Sequence, residues 1–111
     1  MIFKIVHASD WDRTGSCYRG SDKDRADGFL HFSTAAQLPG TLAKHYAGAT
    51  DALVLVAADC AALGDTLKFE SSRDGALFPH LYGPLPLAAV KWVRPIERGE
   101  DGRFVLPGEL S

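Results

Sequence analysis

The sequence predicts an α+β domain built on a strongly twisted or split sheet with helices on one side. Three observations carry this. Two helical patterns lie among about six short strand-like runs. The two kinds of run do not alternate, which argues against a parallel β-α-β architecture. The chain has 111 residues, 46% of them hydrophobic, enough for one core in one domain spanning residues 1–111.

Ile2 to His7 is rich in β-branched and aromatic residues and reads as the first strand. Phe3, Ile5 and His7 share one face. The first two are expected in the core and His7 at the strand's end. Ser9 is placed to cap a single helical turn, and Trp11 to pack that turn on the sheet. Residues 14–27 read as a long polar loop with one extended piece at Cys17-Tyr18-Arg19. Within it, Ser21 to Asp27 is a mixed-charge run, read as a solvated or exposed helical turn; a lid is the alternative.

Gly28-Phe29-Leu30-His31-Phe32-Ser33-Thr34 reads as a strand running into a helix start. Alternation puts Phe29, His31 and Ser33 on one face, with Leu30 and Phe32 on the other. His31 and Ser33 then sit roughly 7 Å apart at their Cα atoms, within reach of one small ligand. Thr34-Ala35-Ala36-Gln37 matches a capping box. Pro39-Gly40 is expected to interrupt that helix, with a restart at Thr41 and an end at Gly48.

Leu53-Val54-Leu55-Val56 lacks polar alternation and reads as a strand covered on both faces. Asp59 caps a turn over Cys60-Ala61-Ala62-Leu63. Leu67-Lys68-Phe69-Glu70 alternates, so Leu67 and Phe69 are expected to point inward. Residues 71–75 form a turn on Asp74-Gly75. In Phe78-Pro79-His80-Leu81-Tyr82-Gly83-Pro84 the prolines argue against a helix or a central strand. The segment reads as an ordered extended stretch presenting His80 and Tyr82. Val90 to Ile96 is a strand, and Arg103 to Leu106 pairs back after the Glu100-Asp101-Gly102 turn. Residues 107–111 form a tail.

The formal charge of -2 makes nucleic acid a poor partner, because a phosphate backbone needs clustered cations. A small phosphate-bearing ligand needs only two or three groups. The longest apolar run, Ala52 to Ala58, is too short to cross a bilayer. With no export segment in Met1 to His7, the expected location is the cytosol, with Cys17 and Cys60 as reduced thiols.

Four histidines, His7, His31, His45 and His80, are the chemically versatile residues. No HxH, HExxH or CxxC spacing exists, so no metal site is expected. Ser33 lacks a nucleophile elbow and reads as a brace at the strand-helix junction. Glu70 reads either as a solvent-facing acid or as a carboxylate that accepts from a sugar diol. Phe32, Tyr46 and Tyr82 offer flat surfaces for a ring, beside the ordinary role of aromatics in a core.

Ile5-Val6-His7, Gly28-Phe29-Leu30-His31-Phe32-Ser33, Gln37-Leu38, Leu67-Lys68-Phe69-Glu70 and Phe78-Pro79-His80-Leu81-Tyr82-Gly83-Pro84-Leu85 together resemble a bacterial family, domain of unknown function 952. The resemblance implies an ADP-ribosyltransferase-like fold: two short, twisted, mainly antiparallel sheets forming a cleft, with a few short helices. It implies NAD or a related nucleotide as substrate, with no other cofactor. By the same resemblance His7 would hold the ribose and Glu70 would steer glycosidic cleavage. The middle role would fall to His31 or Ser33. Ser33, His80 and Tyr82 are the expected ligand contacts; the alternatives are a non-catalytic module that binds a nucleotide or small molecule in the same cleft, and a purely structural or interaction protein.

Overall fold

The computed structural model describes residues 1–11, 15–71 and 75–108. All its strand pairings are antiparallel. Strands β1 (Ile2–His7), β4 (Leu53–Ala58), β8 (Val90–Arg98) and β9 (Phe104–Val105) form a sheet in the order β1-β4-β8-β9. A second sheet has the order β3-β6-β5, from Leu30–His31, Leu77–Leu81 and Leu67–Ser71. A two-stranded ladder joins β2 (Cys17–Tyr18) to β7 (Leu85–Pro86). Two α-helices, α1 (Asp22–Asp27) and α2 (Leu38–His45), and several 3-10 turns complete the described fold.

Strands β1 and β4 of the larger sheet are buried on both faces, as the unbroken apolar run of β4 requires, while β8 and β9 are mostly exposed or half-buried. On one face Phe3, Ile5, Leu53, Leu55 and Ala57 pack against Leu38 and Leu42 of α2. Leu38 is fully enclosed, so truncating it to Ala costs about 2–5 kcal/mol. On the other face Ile2, Val6, Val56 and Ala58 meet Tyr18, Leu30, Phe32, Leu81 and Leu85. Backbone hydrogen bonds join the two sheets at one point. The Phe32 amide donates to the Pro79 carbonyl of β6 at 3.0 Å, and the next residue, Ser33, exchanges two backbone hydrogen bonds with Phe3 of β1.

Several expectations are corrected. The helix after Thr34 is not interrupted at Pro39-Gly40. A 3-10 turn over Ala35–Gln37 runs directly into α2, with Pro39 in its first turn. There a missing N–H is no loss, because the first amides of a helix have no internal partner. Thr41 restarts nothing; its hydroxyl donates back to the Gln37 carbonyl at 3.1 Å. Helix α2 ends at His45, before Gly48. The first 3-10 turn spans Ala8–Asp10 and is entered from His7, not capped by Ser9.

Pro79 lies in a central strand after all. Its carbonyl accepts from Phe32, so its ring nitrogen faces the same strand, and the β5 ladder loses nothing. The lost donor falls where β3 gives out. Phe69 is 48% exposed rather than inward. It sits on an edge strand whose inner end, at Leu67, reaches the core while its outer end does not. The expected turn over residues 71–75 lies largely outside the described residues.

Candidate functional site

The sequence sets Lys4 inside an otherwise apolar strand. An ammonium there needs a partner, because burying an unpaired charge is prohibitive. The partner is Asp24, in the run read as solvated. Both side chains are sealed from solvent, and Lys4 Nζ donates to Asp24 Oδ2 at 2.8 Å and to the His31 carbonyl at 3.1 Å. Residues 21–27 are the exposed helical turn that a mixed-charge run suggests, except that Asp24 turns inward and is buried.

Ser21 and Asp24 cap α1 reciprocally: Asp24 N donates to Ser21 Oγ, and Ser21 N to Asp24 Oδ2 at 2.9 Å. Asp24 Oδ1 accepts from the His31 amide at 3.1 Å and lies 2.6 Å from His31 Nδ1. Burial alone would raise the Asp24 carboxyl. The His31 hydrogen bond, the Lys4 charge and hydrogen bond, and the Ser21 amide together hold it well below the ordinary carboxylate range. Burial lowers Lys4, against the pull of Asp24. His31 Nε2 reaches Asp27 Oδ2 at 3.0 Å, so both ring nitrogens of His31 are engaged by α1.

A second network lies on the other side of His31. Glu70 Oε1 accepts from the Tyr82 hydroxyl at 2.6 Å and lies 3.0 Å from His80 Nδ1. The Tyr82 and His80 hydrogen bonds hold Glu70 below its usual range, and the bond to Glu70 raises Tyr82. Phe29 stacks on His80 with centroids 4.1 Å apart and touches His31 and Tyr82. His80 meets His31 edge-on at 5.8 Å.

A cavity of about 690 Å³ runs between α1, α2 and β1. His7, His31, Ser33 and His80 line it; Glu70 and Tyr82 do not. Glu70 touches it only through His80. Ser33 is buried, 3.0 Å from the Thr41 hydroxyl, which agrees with its reading as a brace. His7 lies at the far end, with Nδ1 2.6 Å from Asp51 Oδ2 and its ring beside Tyr46. The structure thus gathers four of the six expected residues in one cavity and joins the other two to its rim. Among the described residues no three His, Cys, Asp or Glu side chains gather to hold a metal ion. No helix in the described residues is long and apolar enough to cross a membrane.

Sequence reasoning missed Lys4, Asp24 and Tyr18. Two signals were present: a lysine within an apolar strand, and the Ser-x-x-Asp capping pattern at Ser21 to Asp24. Tyr18, in β2, is 3% exposed and lines the same cavity, yet among the described residues its hydroxyl has no hydrogen-bond partner.

A family model described as "Protein of unknown function (DUF952)" matches residues 5–93. The crystal structure of protein CC0527 from Caulobacter crescentus is 40% identical, with a TM-score of 0.88, covering 98% of this chain and 96% of that one. A solution NMR structure of CC0527 is also 40% identical, with a TM-score of 0.79 over 92% of this chain and 89% of that one. No curated protein matches the chain.

Proposed function

The chain belongs to the DUF952 family, and from that premise we propose that its cavity binds a small ring-bearing metabolite of the nucleotide class. The observation that carries this reading is the composition of one enclosure. Its volume, about 690 Å³, suits a nucleoside or nucleotide. Phe32, Tyr46 and Phe78 supply flat apolar surface, while Lys4, Lys23 and Lys44 supply cationic donors. The test is a heteronuclear NMR titration with AMP, UMP and NAD. Shifts should concentrate at Lys4, Ser33, Thr41 and His80 and spare Phe104 and Val105. An unchanged spectrum with all three sinks the reading.

A specific contact favours a second reading, an ADP-ribosyltransferase-like enzyme acting on NAD. Glu70 is coupled to the cavity through His80 at 3.0 Å. A carboxylate behind His80 would act through that imidazole on the positive charge that develops on a ribose as its glycosidic bond breaks. His31 and His7 would line the path of the bound nucleotide. Incubation with labelled NAD tests it: nicotinamide release should occur and should vanish in Glu70→Gln while NAD still shifts the spectrum. Binding without release by the wild-type chain leaves the module reading standing and ends the enzymatic one.

A further inference from the structure

The Tyr18 hydroxyl is a buried donor without a partner among the described residues. Buried hydroxyls are almost always satisfied, because an orphan costs stability, so a retained one calls for an explanation. Tyr18 is held rigidly. Its backbone pairs with Leu85, and its ring lies against Trp11 with centroids 5.0 Å apart. It lines both the large cavity and a neighbouring polar one of about 610 Å³.

Lys4 lines the large cavity as well. Two of its ammonium protons serve Asp24 and the His31 carbonyl, and an ammonium carries a third. The unpartnered Tyr18 hydroxyl and the Lys4 ammonium thus belong to one cavity wall. The charge balance says which kind of acceptor suits them. Lys4 is already matched by Asp24, and His31 lies between Asp24 and Asp27. An anionic oxygen beside Lys4 would meet the Asp24 carboxylate, which Lys4 already balances. A neutral carbonyl oxygen would not suffer that repulsion. The field of Asp24 does reach the Tyr18 hydroxyl: burial first, and then Asp24, push that phenol up, so it stays a donor.

Resting on the nucleotide-class reading above, we infer that the ligand is a flat heterocycle bearing a neutral carbonyl oxygen, which accepts from the Tyr18 hydroxyl and the Lys4 ammonium. An oxo-substituted base fits; its amino-substituted counterpart presents a donor to two donors. The exposed Asp22 and Lys23 of α1 line the same cavity, which opens to solvent.

The test is calorimetric titration of the full chain with inosine and adenosine, in wild type and Tyr18→Phe, with melting curves of the free proteins. Inosine should bind about tenfold more tightly than adenosine to wild type. Tyr18→Phe should narrow that ratio, with inosine affinity falling. Free Tyr18→Phe should melt higher, by roughly 4–8 °C, since it no longer buries an orphan hydroxyl. Equal wild-type affinities, a ratio that survives the substitution, or a variant that melts lower or does not fold overturns the inference alone. Binding of neither nucleoside nor of their monophosphates overturns the nucleotide-class reading and the inference with it.

Discussion

Lys4 and Asp24 form an ion pair of 2.8 Å from which water is excluded. It fastens α1 to the first strand and fixes the wall of the cavity. The two members are not equal. Lys4 serves two acceptors, whereas Asp24 also receives His31 twice and the Ser21 amide.

Removal of either partner should therefore destabilise strongly, by about 3–5 kcal/mol. Asp24→Ala should cost more than Lys4→Met, because it orphans more donors. Urea denaturation monitored by tryptophan fluorescence gives the comparison; a larger loss for Lys4→Met contradicts this order.

The same pair sets the acid limit of the fold. The Asp24 carboxyl lies below its ordinary value of 3.8 in the folded chain. A depressed carboxyl contributes stability that is complete above the unfolded value and is lost as pH falls toward the folded one. Melting temperature should hold steady above about pH 5 and decline below it. Asp24→Asn, though less stable throughout, should decline less steeply in melts between pH 2 and 6.

Glu70 should titrate below its ordinary value of 4.5, held there first by Tyr82 and then by His80. Tyr82→Phe should move the midpoint back upward. Carboxyl-detected NMR measures both, and an unmoved midpoint in the variant would show that the 2.6 Å contact does not govern Glu70.

Gly20 and Gly28 flank α1 with φ of +97° and +87°. A side chain in this region strains the backbone by about 1–2 kcal/mol. At Gly20 a Cβ would also stand 2.8 Å from the Asp24 Cβ, whereas at Gly28 it meets nothing within 4 Å. Gly20→Ala should thus destabilise more than Gly28→Ala in denaturant titrations, and equal losses would show that Asp24 yields easily.

Much of the fold was legible because local chemistry decided it. The unbroken Leu53 to Val56 run is the central buried strand, and the Asp59 carboxylate accepts from Ala61 N as its capping role requires. Gln37 accepts from the Thr34 amide at 3.0 Å. What was missed depends on partners distant in the chain. Asp24 looks like any acid in a charged run until Lys4, twenty residues earlier, and His31 close around it. Pro79 is tolerated in a central strand only because β3 ends opposite it. Of the site, the histidines were visible as residue types, but the commitment of His31 to α1 and the separation of Glu70 from the cavity follow from tertiary packing alone.

The crossing at Phe32 and Ser33 has a mechanical consequence. Backbone hydrogen bonds from two successive residues stitch the two sheets, beside the Lys4 bond to the His31 carbonyl and the packing of Ile2 and Val6 on Leu30 and Leu81. A two-residue strand would ordinarily fray, yet the amides of Phe3 and Ser33 should exchange with solvent as slowly as those of the central β4. This seam is also part of the cavity wall, since Phe3, Phe32 and Ser33 line it.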